Sequence, residues 1–173
     1  MSHPEQREFC ETVKGLFPSK FIDVTVLDVG SVDINGSNRY LFTGNSEYIG
    51  LDIVAGKNVD IVCRIVDFVP EKQYDVVIST EMLEHDSQWK GSVQKMYSLV
   101  KSGGLLLITC AGTGRPVHGT FEHNPQDSPA TLSYYKNISA EMLMRVLNKY
   151  AFKSCQFTEN KKSCDTYFWG VKK

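Results

Sequence analysis

The chain has 173 residues, of which 42% are hydrophobic and 23% charged, so its length and composition suit one globular domain that buries roughly two thirds of its unfolded surface. The chain has 19 basic and 20 acidic residues, and the resulting net charge of −1 disfavours bulk nucleic acid as a partner. Residues 1–17 carry charges throughout and contain no long apolar run, so we expect neither a signal peptide nor a membrane span, and a cytoplasmic location.

The spacing of apolar residues predicts helices and short strands that alternate along the chain. The helices are expected at residues 4–17, 87–100 and 138–150, and Ser139 is the expected N-cap of the last one. The strands are expected at residues 24–29, 48–52, 59–62, 74–79, 105–110, 152–158 and 166–171. A turn at Ser102-Gly103-Gly104 should precede the fifth strand.

The intervals between the first five strands are too long or too polar for hairpins, which indicates a mainly parallel sheet with helices on its faces. The last two strands, joined by a short polar turn, should form an antiparallel edge. In open sheets of this kind the ligand lies beyond the carboxyl ends of the strands. Asp28, Asp52, Asp67 and Ser79 all fall at such ends.

The first two strands carry the most informative pattern. The first ends in Asp28-Val29-Gly30 and the second ends in Asp52, which is the layout of a nucleoside site because a strand-tip acid can accept both ribose hydroxyls. Val32 and Asn35 stand where the dinucleotide fingerprint GxGxxG needs glycines, and a GxxxxGK[ST] loop is missing from the sequence. The pattern therefore favours a nucleoside-type ligand without a pyrophosphate.

Five motifs in order extend this pattern from Val26 to Gly114. They read VLDVGS with Asn35-Gly36, YIGLDI, VDIV followed by Asp67, YDVVISTEMLEH, and SGGLLLITCAGTG. The series resembles class I S-adenosylmethionine-dependent methyltransferases of the small methyltransferase-domain type. The resemblance implies a Rossmann-like, seven-stranded, mostly parallel sheet with helices on both faces, an antiparallel last strand, and S-adenosylmethionine as the cofactor.

The resemblance also implies roles for single residues. Asp28 and Gly30 would lie under the methionine part of the cofactor, Asp52 would bind the ribose hydroxyls, and Asp67 with the Phe68 backbone would meet the adenine. The remaining expected cofactor-binding residues are Ser31, Ile53, Ser79 and Thr80. The first loop departs from the family pattern, because Val32 and Ile34 replace further glycines and Asn35-Gly36 would have to supply the turn.

Acidic and imidazole groups cluster after the fourth strand, in STEMLEHD. Methyl transfer from a sulfonium is an in-line displacement, and it requires a base only when the acceptor is protonated. Glu81 and His85 are the catalytic candidates, although a histidine at this position in the family often only shapes the pocket. Glu84 is better explained as an acid at a helix N-terminus.

Residues 111–137 have almost no periodicity, which is typical of a functional loop, and we expect a mobile lid over the acceptor. Substrate-contacting candidates are Trp89, Arg115, His118 and Tyr134; packing is the default interpretation for the two aromatic residues. No metal site is expected, because His118, His123 and Cys110 match no known ligand spacing. Five cysteines without CxxC spacing argue against a disulfide framework.

The sequence thus predicts one methyltransferase domain over residues 1–173, acting on a small molecule or on an exposed group of a larger one. A non-catalytic domain that binds the cofactor or a protein is the first alternative. An NAD-dependent oxidoreductase is the second, and the glycine spacing and the chain length count against it. The acceptor atom and the oligomeric state stay open.

Overall fold

The computed structural model describes residues 3–173 and has an α/β architecture around one sheet. The helices are α1 (Pro4–Leu16), α2 (Trp89–Leu99) and α3 (Ala140–Val146). The strands are β1 (Thr25–Val29), β2 (Glu47–Asp52), β3 (Ile61–Val62), β4 (Tyr74–Thr80), β5 (Val100–Ala111), β6 (Phe152–Asn160) and β7 (Asp165–Lys172). Each predicted helix and strand therefore has a counterpart.

The seven strands lie in the order β3-β2-β1-β4-β5-β7-β6. β1 to β5 pair in parallel, whereas β7 runs antiparallel to both of its neighbours, β5 and β6. This arrangement confirms the Rossmann-like, mostly parallel sheet with a reversed last strand. The chain changes direction across the sheet between β1 and β4, and ligands of such sheets bind at that switch point.

Both faces of the sheet are buried, which explains why the central strands are apolar at successive positions rather than at alternate ones. Val26 and Ile78 point to the face covered by α1, where they pack with Val13. Leu27 and Val77 point to the opposite face, which α2 and α3 cover. The prediction of helices on both faces is confirmed.

Several elements begin or end at residues other than the predicted ones. α3 stops at Val146 because Leu147 is extended and the Asn148 side chain accepts a hydrogen bond from Tyr150 N, which starts a separate turn. The predicted turn before β5 is instead part of that strand, where Gly103 has φ +75° and the pairing with β4 shifts in register. No helix in residues 3–173 is long and apolar enough to cross a membrane.

Candidate functional site

A cavity of about 720 Å³ opens at the carboxyl edge of the sheet, beside the switch point. The ends of β1, β2 and β4 form its floor. Residues 63–66 after β3 also line it, as do residues 127–131, 133 and 134 of the irregular segment 111–137, called the long loop below. Its volume lies within the range of small-molecule and cofactor sites.

The loop after β1 contains two glycines with positive φ. Gly30 has φ +81°, and its N–H donates to Leu51 O at 2.8 Å, which ties the loop to β2. A Cβ at Gly30 would lie 2.5 Å from Met82 Cγ, so the glycine also makes room for a side chain that follows β4. Gly36, with φ +139°, donates its N–H to Asp33 Oδ1, so Asn35-Gly36 does form a turn here.

Asp28 is buried at the end of β1, within a polar network at the cavity wall. Tyr48 donates its hydroxyl to Asp28 Oδ2, and Asn38 Nδ2 lies 3.4 Å from the same oxygen and 3.0 Å from Thr80 Oγ1. Burial raises the pKa of the Asp28 carboxyl to about 6, although the Tyr48 and Asn38 hydrogen bonds oppose the rise. The network joins β1, β2 and β4 at one point.

Asp52 ends β2 and lines the cavity with only 8% of its surface exposed. Its Oδ2 accepts a hydrogen bond from Val32 N at 3.1 Å, and its Oδ1 accepts one from Val54 N at 3.2 Å. Each carboxylate oxygen can accept a second hydrogen bond. Asp52 therefore holds the first loop in place and keeps acceptor capacity for hydroxyl groups in the cavity.

The cofactor-binding residues expected from the sequence divide into two groups. Six line the cavity: Asp28, Gly30, Ser31, Asp52, Ile53 and Thr80. Three do not. Asp67 is exposed, Phe68 packs in the core, and Ser79 is fully buried with its hydroxyl donating to Val29 O at 2.8 Å. The preceding residues Cys63–Val66 line the cavity in place of Asp67 and Phe68. In the turn at Ile65–Asp67, Ile65 and Val66 line the cavity, whereas Asp67 is exposed to solvent.

Glu81 leaves β4 with φ +53°, which directs its buried carboxylate toward β5 and the N-terminus of α1. Its Oε1 accepts a hydrogen bond from Thr109 Oγ1 at 2.8 Å, and its Oε2 lies 3.7 Å from His3 Nε2. Burial lowers the pKa of His3, but the ion-pair interactions with Asp165 and Glu81 outweigh it and raise the pKa to about 9. Glu81 lines the cavity yet is engaged in an ion pair.

Glu84 and His85 follow in the turn at Leu83–His85 and are both buried. Burial raises the pKa of the Glu84 carboxyl to about 8, with Glu81 adding to the rise and the amides of Glu84 and Ala111 opposing it. Burial, and then the neighbouring His118, lowers the pKa of His85 to about 3. His85 therefore lines the cavity as a neutral ring, and its low pKa makes it a weak proton acceptor.

Of the four substrate candidates, Tyr134 alone lines the cavity. Trp89, the first residue of α2, is 3% exposed and packs in the core, in agreement with the packing interpretation. Arg115 donates to Ser163 O at 2.8 Å and forms an ion pair with Asp165 at 3.0 Å, which fixes the start of the long loop to β7. His118 is buried behind the cavity wall, with its ring centroid 5.1 Å from that of His85.

Sequence reasoning missed several residues of the site. Asn38 and Tyr48 complete the Asp28 network, Met82 fills the space above Gly30, and Arg64 lines the cavity near the turn after β3. Met82 lies within the STEMLEH motif, so its position after β4 was a usable signal. Asn38 is in a short 3-10 turn between β1 and β2, where the sequence has no periodicity that would point to it.

The comparisons with known proteins agree on one family and one fold. A family model described as "Methyltransferase domain" matches residues 1–154. A Burkholderia thailandensis 1,6-didemethyltoxoflavin-N1-methyltransferase, solved with 1,6-didemethyltoxoflavin and S-adenosylhomocysteine, superimposes with a TM-score of 0.67 at 13% identity, over 96% of this chain and 77% of that one. No curated protein matches the sequence at a significant level.

Two further solved structures have the same fold. The N-methyltransferase NodS from Bradyrhizobium japonicum WM9, in complex with S-adenosylhomocysteine, gives a TM-score of 0.64 at 12% identity and covers 99% of this chain and 89% of that one. Phosphoethanolamine N-methyltransferase 2 from Haemonchus contortus, in complex with S-adenosylmethionine, gives 0.64 at 18% identity. The match covers 96% of this chain and 52% of that longer one.

Proposed function

The chain belongs to the methyltransferase-domain family, and from that premise we propose that it transfers a methyl group from S-adenosylmethionine to a small molecule held in the cavity. The observation that carries the proposal is the arrangement of Asp28, Gly30 and Asp52. They lie at the ends of adjacent strands and line a single cavity of about 720 Å³ at the switch point of the sheet. The solved structures of the same fold that contain S-adenosylhomocysteine or S-adenosylmethionine support this cofactor.

We assign the cofactor contacts to residues at the cavity wall. Asp52 would accept hydrogen bonds from the ribose hydroxyls, and Gly30 and Ser31 would lie along the methionine part. Ile53 and Thr80 complete this set. We place the adenine contacts at residues 63–66 rather than at Asp67 and Phe68, because residues 63–66 line the cavity.

We place the acceptor under the long loop. Ser128, Thr131 and Tyr134 line the cavity from the loop side, and His85 lines it from the sheet side. Transfer requires the acceptor atom to stand in line with the methyl group and the sulfur, with water excluded. The covering loop supplies that exclusion, and Tyr134 supplies an aromatic surface for the acceptor.

Residues 1–173 would form one domain in this proposal, with residues 111–137 as its lid. A cytoplasmic location is part of the same proposal, and the five free cysteines are consistent with a reducing compartment. The protein's net charge of −1 favours a small acceptor over bulk nucleic acid.

A binding and turnover experiment tests the proposal. Calorimetric titration with S-adenosylhomocysteine, S-adenosylmethionine and NAD should give saturable binding for the first two and none for NAD in the same concentration range. Incubation with methyl-labelled S-adenosylmethionine and a metabolite extract should then yield a labelled small molecule. Cofactor binding without transfer to any acceptor class would instead support a non-catalytic domain, and tighter binding of NAD would overturn the cofactor assignment.

A further inference from the structure

Three potential metal ligands converge behind the cavity wall, where β4 ends and the long loop packs against it. They are Glu84, His85 and His118, and all three are buried. One carboxylate oxygen and one nitrogen of each ring lie within 4.8 Å of one another. Ligand atoms around an ion bound at about 2.1 Å lie roughly 3–4 Å apart, so closing the site needs movements of about an ångström.

The hydrogen bonds of this cluster are incomplete among the described residues. Both carboxylate oxygens of Glu84 and the Nδ1 atom of His85 are buried without a hydrogen-bond partner of good geometry. The Glu84 side chain has no exposed surface at all. Buried polar groups are nearly always satisfied, and an exception calls for an explanation such as an absent ion.

One ring nitrogen of His118 forms a hydrogen bond to the backbone, which orients the imidazole and leaves its other nitrogen available to a metal ion. Its Nδ1 lies 3.0 Å from Pro116 O, and a carbonyl can only accept, so Nδ1 carries the proton and Nε2 keeps a lone pair in the neutral ring. Tyr135 donates its hydroxyl to the same carbonyl at 3.2 Å, and its ring packs 4.9 Å from that of His118. Histidine ligands of metals are fixed in this way, through the ring nitrogen that does not bind the ion.

His3, Glu81 and Asp165 form a second group of potential metal ligands, but cationic side chains lie beside its carboxylates. His3 Nε2 lies 3.1 Å from Asp165 Oδ2 and 3.7 Å from Glu81 Oε2, and Arg115 also pairs with Asp165. The two carboxylates there have cationic side chains beside them. Glu84 has no salt-bridge partner within the described part of the chain, and its other neighbours in the cluster are two imidazoles.

We propose that Glu84, His85 and His118 bind a divalent transition-metal ion, with Zn²⁺, Co²⁺ and Mn²⁺ as suitable ions. Two imidazoles and one carboxylate are ligands that such ions prefer over the all-oxygen sets of Ca²⁺. Because His85 also lines the cavity, the ion would lie next to the space we assign to the acceptor. This differs from the sequence-based expectation of no metal, which weighed His118 with His123 and Cys110 rather than with the two residues after β4.

Cobalt titration of the full chain provides the test. After treatment with a chelator and its removal, Co²⁺ should bind at one equivalent per chain with a visible absorption band, and Zn²⁺ should displace it. Glu84→Gln and His118→Gln should each weaken Co²⁺ binding by at least about tenfold, since ligand loss should cost no less than loss of an outer hydrogen bond. His123→Gln is the matched control: His123 is an exposed histidine of the same loop and should leave binding unchanged.

Crystals grown with Zn²⁺ give a readout that does not depend on variant folding. An anomalous peak among Glu84, His85 and His118 is expected. A peak elsewhere, an absence of one-equivalent binding, or equal affinity in the Glu84→Gln and wild-type proteins would overturn the proposal. None of these measurements uses cofactor or acceptor, so the metal site and the proposed methyl transfer can fail separately.

Discussion

Gly119 packs directly against the ring of His85: a Cβ at Gly119 would lie 2.6 Å from His85 Cε1 and 2.8 Å from Ser128 Cβ. The residue also has φ +61°, in the left-handed region that favours glycine. A contact of this kind fixes the long loop onto the end of β4, and it places the neighbouring His118 beside His85. The loop and the strand end therefore form one structural unit at this point.

The first prediction concerns this contact. Gly119→Ala should displace the His85 ring and weaken Co²⁺ binding by about tenfold or more, because the added methyl group occupies the space of the imidazole. Gly114→Ala is the control, since Gly114 also has positive φ (+90°) but its Cβ would meet only Cys164 Sγ, at 3.5 Å. Both variants should lose stability through backbone strain of roughly 1–2 kcal/mol. Equal Co²⁺ affinity in the two variants would show that His85 is not a ligand.

The second prediction concerns the ribose acid. Asp52→Ala should weaken binding of S-adenosylhomocysteine by about 1.5–3 kcal/mol, or roughly 10- to 150-fold, because two charge-assisted hydrogen bonds are lost. Asp67→Ala should bind like the wild type, because Asp67 is exposed and away from the cavity. Calorimetry on both variants checks this. A large loss in Asp67→Ala would restore the sequence-based adenine assignment.

The third prediction follows from the raised pKa of Asp28. Burial raises its pKa in the folded protein to about 6, above the ordinary value of 3.8, so the folded state holds the proton more tightly. The contribution of Asp28 to stability should therefore fall as pH rises from about 4 to about 6, by on the order of 2–3 kcal/mol. Asp28→Asn should remove this loss and unfold at a higher temperature than the wild type at pH 8, without cofactor.

Asp75 provides a control, because its pKa is shifted in the direction opposite to that of Asp28. Burial raises its pKa, but hydrogen bonds from Thr25 and Lys101 outweigh this and lower the pKa to about 2. Its stabilising contribution is present above pH 4 and is lost as pH falls through 2, so Asp75→Asn should be destabilised at pH 8. Thermal unfolding across pH 4–8 compares the two variants. The same change of stability between pH 4 and pH 6 in Asp28→Asn and in the wild type would contradict the pKa assigned to Asp28.

The fourth prediction is that residues 115–136 act as a mobile lid. Two hydrogen bonds close its base, from Asn137 Nδ2 to Arg115 O at 2.9 Å and from Lys136 N to Glu84 O at 2.8 Å. Between them the chain is irregular, and Phe121 is 72% exposed. Hydrogen exchange should be fast at residues 120–134, beyond the Gly119 contact with His85, in the free protein and slow with cofactor and acceptor bound. Protection equal to that of β4 without ligand would make the segment a structural insert.

The fold could be predicted closely, because strands buried on both faces leave long apolar runs that are visible in the sequence. The site could be predicted in part. Asp28, Gly30 and Asp52 were assigned from strand ends and line the cavity, whereas Asp67 and Ser79, which were also assigned from strand ends and from the family resemblance, do not. Whether a side chain just before or after a strand end faces the cavity depends on local turns, and here the turn at Ile65–Asp67 turns Asp67 outward.

The sequence by itself determined the order of strands and helices, the edge of the sheet where the site lies, and the family. These depend on local periodicity and on motifs whose spacing is fixed along the chain. Only the tertiary structure decided that Glu84 and His85 meet His118 from the long loop, and that His3 pairs with Asp165 at the start of β7. Such contacts join residues far apart in sequence, and they depend on how an irregular loop and the chain's first helix pack onto the sheet.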